Sequence, residues 1–351
     1  MADVVDHVDV VASGGLDPLD LAAISHAVEA SSTHSIIISR ATLEMTKLER
    51  ASNVITAAPF RMYFPMDTIT VDATSSTIPI GVKATTALSH GDIVMTRTSA
   101  AVEGAQLSDT IELRSWDGTL RMFTIGAVVD DTDISGAELA LPATSGASMG
   151  IARPSRGRVW GTRPQLETFL SILPRHLVTE LSWSPMSPDD TISQARTKQL
   201  LGQFAYIRTE NSQVTVDPTW KAANLVTGKI PLIGNIECHT IVARAATDAL
   251  EEIRQAGLAR LIDTDDTYRN GGCWGPREQK TPEGTSGHTL SRHTWGGAID
   301  INPTTNPQGA PPTMDQRVVA ISRHHGFAWG GSFPAPDGMH FEYIGPDPRQ
   351  P

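Results

Sequence analysis

The chain has 351 residues and a formal net charge of −11, from 28 Lys and Arg against 39 Asp and Glu. That length can build two domains, each with its own core. The acidic balance, without any basic run, excludes the clustered cations that nucleic acid or an anionic membrane surface demands, and no apolar stretch is long enough to span a bilayer.

Residues 7–13 alternate as a strand, and 17–30 read as a helix with Asp17 as its cap, since a carboxylate there can accept from the free amides of the first turn. β-branched residues predict a strand over 35–45, and strands dominate from 68 to 130. The clearest hairpin runs from Thr110-Ile-Glu-Leu-Arg114 through Trp116-Asp-Gly-Thr119 into 120–129, with Asp-Gly as its turn. His90-Gly-Asp-Ile93 marks another turn. Helices are expected over 164–173 and 191–204, with a short strand around Glu180. Residues 1–228 therefore read as an α+β module with a small, β-rich, barrel-like insertion. His26 and His34 are isolated there and read as surface or helix-end histidines.

Turn residues at Asp217-Pro218 and Gly228 make 215–232 a join, followed by a second α+β domain over 229–351. Val242, Ala246, Ala249, Leu250 and Ile253 recur at helical spacing, so a helix ending near Gly257 is expected to pack under a sheet. The Gly-, Thr- and Pro-rich stretch 264–290 reads as a long loop forming one wall of a cleft. Cys238 and Cys273 form either one disulfide, tying that loop to the start of the domain, or two buried thiols. Another helix is expected over 314–325, stopped by Gly326. His324 and His325 sit in its last turn, where the helix dipole favours histidine, and adjacent side chains point in different directions.

The chemistry concentrates in two short runs. Ser291-Arg-His-Thr-Trp-Gly-Gly-Ala-Ile-Asp300 and Asp337-Gly-Met-His340 together hold two imidazoles, a carboxylate and a spare carboxylate. These are the parts of a catalytic zinc site, which takes three protein ligands and keeps a fourth position open. Seven residues of helix rise about 10 Å, so His293 and Asp300 cannot share a helix face. Gly296-Gly297 instead permits a bend into a strand over 298–302, with Asp300 on one face and Ile299 and Ile301 on the other. In 340–344 the same alternation puts His340 and Glu342 on one face and Phe341 and Tyr343 on the other.

The Ser-x-His-x-x-Gly-x-Ala-x-Asp run, with the later Trp-Gly-Gly and Asp-x-x-His-Phe-Glu, resembles the VanY-type zinc D,D-carboxypeptidases and their L-alanyl-D-glutamate endopeptidase relatives. The resemblance covers the chain from about residue 230. It implies a hedgehog/D,D-peptidase-like zinc domain with a small antiparallel sheet, Zn2+ held by His293, Asp300 and His340, and Asp337 as catalytic base. It also implies an upstream arginine on the scissile carbonyl; Arg269 and Arg277 are the candidates, with Arg277 favoured because it follows Gly-Gly-Cys. Ser291 is expected to steady the ligand loop or touch substrate, Trp295 to be a core residue or a substrate platform, and Glu342 to orient a ligand. Trp329 is expected in the core. Implied substrates are peptidoglycan stem peptides, at the cell envelope or outside the cell, although Met-Ala-Asp-Val-Val-Asp-His lacks the basic and apolar parts of a secretory signal. A zinc-bearing binding module without turnover, or an envelope- or transporter-associated protein, is the rival expectation. The first 228 residues are faintly similar in pattern to the extracytoplasmic domain of MacB-type permeases.

Overall fold

A computed structural model describes residues 6–12, 15–71, 81–151, 153–182, 191–263, 272–279, 288–333 and 336–346. The fold is mixed α+β and divides into two compact units. One comprises 1–185 with 193–195 and 280–289; the other comprises 186–192, 196–279 and 290–351.

The first unit runs β1 (Asp6–Val11), α1 (Pro18–Ser31), β2 (His34–Arg50), β3 (Asn53–Ala57), β4 (Phe64–Val71), α2 (Val82–Ser89), β5 (Ile93–Thr96), α3 (Arg97–Glu103) and β6 (Thr110–Arg114). It continues with β7 (Leu120–Val129), β8 (Leu139–Pro142), α4 (Ala143–Ser148), β9 (Arg156–Gly161), α5 (Arg163–Ile172) and β10 (Val178–Ser182). Asp17 caps α1 as expected, accepting from the amides of Leu19 and Asp20 while Asp20 accepts from the Asp17 amide. The long strand β2 organises the sheet. Its start pairs with β9; further along it pairs with β4 on one side and β6 on the other, so that β2-β4-β8-β5-β7-β6 closes into a ring. That ring is the expected barrel-like insertion, and closure leaves its strands without free edges. The expected hairpin is present as the antiparallel pair β6–β7, with Arg114 opposite Leu120.

Helices α2 and α3 interrupt the stretch expected to be dominated by strands. In α2, Ala84, Ala87 and Leu88 recur at helical spacing and bury against the barrel; in α3 the Thr96 hydroxyl caps the amide of Ser99. Both helices are too short for periodicity to distinguish them from strands.

The second unit receives most of α6 (Gln194–Leu201). It then runs β11 (Tyr206–Arg208), β12 (Val214–Val216), α7 (Pro218–Asn224), β13 (Leu225–Ile230), β14 (Gly234–His239), α8 (Thr240–Gln255), β15 (Ala298–Asp300), α9 (Gln316–His324), β16 (Phe327–Trp329) and β17 (His340–Tyr343). The boundary expected at 228 is corrected, for two physical reasons. It would cut through strand β13 of the β13–β14 hairpin, in which Leu225 pairs with His239 and Ile230 with Gly234. It would also remove Phe204, Tyr206, Val214 and Trp220 from the core they share with Trp295, Ile299 and Phe341.

The small antiparallel sheet has the order β15-β17-β16. Beneath it, Ala246, Ala249 and Leu250 of α8 line one small apolar cavity with Ile299, Ile301 and Phe341. The apolar stripe of α8 therefore supports the sheet from which two of the site residues project.

Candidate metal centre

Three local structures deliver three side chains to one point. His293 sits in a single 3-10 turn, Arg292–Trp295, whose start is capped by the Ser291 hydroxyl accepting from the His293 N–H at 3.3 Å. Gly296 then adopts φ +60°, and a Cβ on it would lie 2.6 Å from the His239 amide nitrogen. Only glycine meets both demands, and the bend it makes turns the chain into β15. In the antiparallel β15–β17 pair Asp300 stands directly opposite His340, while Ile299 faces Phe341 in the core. Cross-strand partners on one face have adjacent Cβ atoms, so this register sets the carboxylate beside the imidazole.

His293 Nε2 lies 3.2 Å from His340 Nδ1 and 3.3 Å from Asp300 Oδ1, and His340 Nδ1 lies 3.2 Å from the same oxygen. A tetrahedral ion about 2.1 Å from each donor holds neighbouring donors about 3.4 Å apart, so this triangle fits zinc without rearrangement. The donor set of two nitrogens and one oxygen also suits it. Both rings are fixed from behind. His293 Nδ1 is 3.0 Å from the Cys273 carbonyl, to which it donates, leaving Nε2 as the free donor atom for a metal. His340 Nε2 faces Glu342 Oε2 at 3.7 Å. Glu342 is itself held by Arg292, whose Nε donates to Oε1 at 2.8 Å and whose Nη2 donates to the Ile192 carbonyl at 2.7 Å. Such outer partners set ring orientation and ligand basicity.

The electrostatics are those of a cation site. Burial works to raise the Asp300 carboxyl, but hydrogen bonds and charge from His293 and His340 outweigh it and hold it well below the usual carboxylate range. Burial opposes protonation of His340, yet hydrogen bonds with Asp300 and Glu342 push the imidazole up to about 10. The two carboxylates thus favour positive charge at this point. For Glu342, burial is overcome by the charges of Arg292 and His340, and its carboxyl is depressed.

Asp337 behaves differently. Burial pushes its carboxyl up, with Asp300 adding to the rise and His340 opposing it. Its Oδ1 is buried with no hydrogen-bond partner among the described residues. The backbone around it is tightly held: its amide donates to Gly330 at 2.8 Å, its carbonyl accepts from the His340 amide at 3.1 Å, and Trp329 Nε1 donates to Gly338 at 2.9 Å. Trp329 is therefore a core residue that also fixes this turn.

Arg277 is pinned to the ligand turn. Its amide donates to Thr294 Oγ1 at 3.1 Å, and its carbonyl accepts from that hydroxyl at 2.9 Å and from the Ser291 amide at 3.0 Å. Its positive charge is felt at Asp337. Arg269 lies outside the described residues. Cys238 and Cys273 form a disulfide with Cα atoms 5.3 Å apart, which anchors the carbonyl that orients His293. Trp295 is corrected: it is 0% exposed, donates from Nε1 to the Gly202 carbonyl and packs on Phe204, so it is core and cannot be a substrate platform. Ser291 is buried and spends its hydroxyl on the cap. Sequence reasoning missed Arg292 and Thr294. The opposite charges of Arg292 and Glu342, one in each motif, were the available signal for the first; Thr294 carried none.

The family model for D-alanyl-D-alanine carboxypeptidase matches residues 284–343, a segment that contains His293, Asp300, Asp337, His340 and Glu342. A comparison with curated proteins finds no match. The matched segment lies wholly in the C-terminal part of the chain, so the likeness of the first 228 residues to MacB-type domains has no support.

Proposed function

We propose that the C-terminal unit is a zinc-dependent peptidase that cleaves peptidoglycan stem peptides at bonds involving D-amino acids, acting at the cell envelope or outside the cell. The observation that carries this reading is the triangle of His293, Asp300 and His340 donor atoms inside the segment matching D-alanyl-D-alanine carboxypeptidases. The three-stranded sheet over α8 is read as the D,D-peptidase-like zinc-domain architecture.

His293 Nε2, Asp300 Oδ1 and His340 Nδ1 would hold the ion. When bound, zinc supplies Lewis acidity, making water a stronger acid and a carbonyl a better electrophile. Asp337 takes the proton of the attacking water on its unpartnered Oδ1 and returns it to the leaving amine nitrogen as the peptide C–N bond breaks. Burial raises its pKa, the direction that makes a carboxylate a better proton acceptor. Arg277 turns its guanidinium toward the carbonyl oxygen, where negative charge develops in the transition state. Arg292 and Glu342 keep the His340 ring from rotating.

A binding module without turnover needs no buried carboxylate oxygen left unpaired beside its metal, and Asp337 speaks against that reading. The test is metal content and hydrolysis measured together. The purified chain should carry zinc and cleave muropeptides, lose both on chelation, and regain both on adding zinc. Stable zinc binding with no cleavage of any stem peptide would overturn the peptidase reading and leave the binding module.

A further inference from the structure

A second cluster lies on other elements of the same unit. Glu252 is in the last turn of α8, His324 ends α9 and His325 caps it. Adjacent residues at a helix end were expected to point apart, but the capping geometry of His325, φ −91° and ψ 18°, brings both imidazoles to one carboxylate. His325 Nε2 is 2.7 Å from Glu252 Oε2 and His324 Nδ1 is 3.5 Å from the same atom. The three potential ligand atoms lie within 4.8 Å of one another.

We propose that Glu252, His324 and His325 form a second divalent-metal site, of the zinc, nickel or copper class, that braces the end of α8 against the end of α9. Three features favour a cation there. Both helices terminate at this point, so the partial negative charges of two helix C-termini converge on a carboxylate. Neighbouring Arg254 is committed elsewhere, its Nε donating to Glu251 at 2.8 Å, and among the described residues the ion pairs of Glu252 are with these two imidazoles. Two imidazole nitrogens with one carboxylate oxygen select borderline transition metals over calcium or magnesium. The His324 side chain is 55% exposed, so water can reach the cluster and complete the coordination. The site is therefore weaker than the buried centre and shares no ligand with it.

Equilibrium dialysis of the full chain with Zn2+ or Ni2+ tests this, using His324→Ala and Glu252→Gln as independent variants and His293→Ala as the control for the buried centre. Neither exposed-site variant removes a core side chain. The parent should bind one more ion per chain than either variant, and nickel should raise its thermal midpoint further than theirs. Both variants should keep the parent's muropeptide hydrolysis. Equal stoichiometry in parent and both variants would overturn the second site and mark the cluster as ordinary hydrogen bonding. If His293→Ala also kept every ion, the buried-centre assignment would fail instead, so the two readings are separable.

Discussion

Asp300 and Asp337 are both acidic and both near His340, yet their surroundings push their carboxyl pKa values in opposite directions. Asp300→Asn removes the only anionic corner of the donor triangle and should strip the metal, and hydrolysis with it. Asp337→Asn leaves the triangle intact; it should keep full metal content while turnover falls roughly 10²- to 10⁴-fold, the usual worth of a positioned general base. Metal analysis alongside kcat separates the two, and unchanged turnover in Asp337→Asn would remove it from the mechanism. Glu342→Gln should weaken zinc binding about 10- to 100-fold, because His340 loses the carboxylate that orients it; competition against a chelator of known affinity reads this. The triangle was legible in sequence because strand alternation and a glycine pair are local signals. Trp295 was ambiguous because an aromatic beside a ligand looks the same whether it faces a cleft or Phe204. Thr294 was invisible because its partner, Arg277, meets it only through the tertiary fold.

At the scale of elements, the turn between the 3-10 helix and β15 depends on one glycine. Gly296→Ala forces a side chain into left-handed φ and against the His239 amide. It should cost about 2 kcal/mol or more and lower metal occupancy with it, read by denaturant titration of the metal-loaded protein. The disulfide closes a sequence separation of 35 residues, for which loop-closure entropy gives about 4 kcal/mol. Cys238→Ser with Cys273→Ser should lose stability of that order; no change in denaturation midpoint would mean that the loop is held by its hydrogen bonds to Glu237 and His293 alone. Long amphipathic elements were readable: the expected α8 residues are those that are buried. The short helices α2 and α3 were not, since one or two turns carry too few periods. The barrel-like insertion was readable, but not that β2 closes it, which needs a strand long enough to take partners on both sides.

For the whole molecule, the shared core moves the expected domain boundary. A fragment beginning near residue 191 keeps Phe204, Tyr206 and Trp220 with Trp295 and should fold and bind zinc, whereas one beginning at 229 loses them and half of a hairpin. Equal solubility and zinc content in the two fragments would restore the boundary at 228. The N-terminal unit has its own pH dependence. Asp9 is 4% exposed and bonded to Arg156 and Arg158; burial raises its carboxyl, but the arginines outweigh this and hold it down. A depressed folded pKa stabilises above the unfolded value of about 3.9 and is lost as pH falls through the folded value. The unit should therefore weaken below about pH 4, and Asp9→Ala should cost roughly 3 kcal/mol at neutral pH and flatten that acid limb.

On the proposed reading, one chain holds a metal and uses it to hydrolyse a D-amino-acid peptide bond. Mass spectrometry of purified muropeptides incubated with the zinc-loaded chain tests it most directly, with Asp337→Asn and a chelated sample in parallel. A shortened stem peptide should come from the parent alone. Intact muropeptides from the parent, or the same products from all three samples, would contradict it.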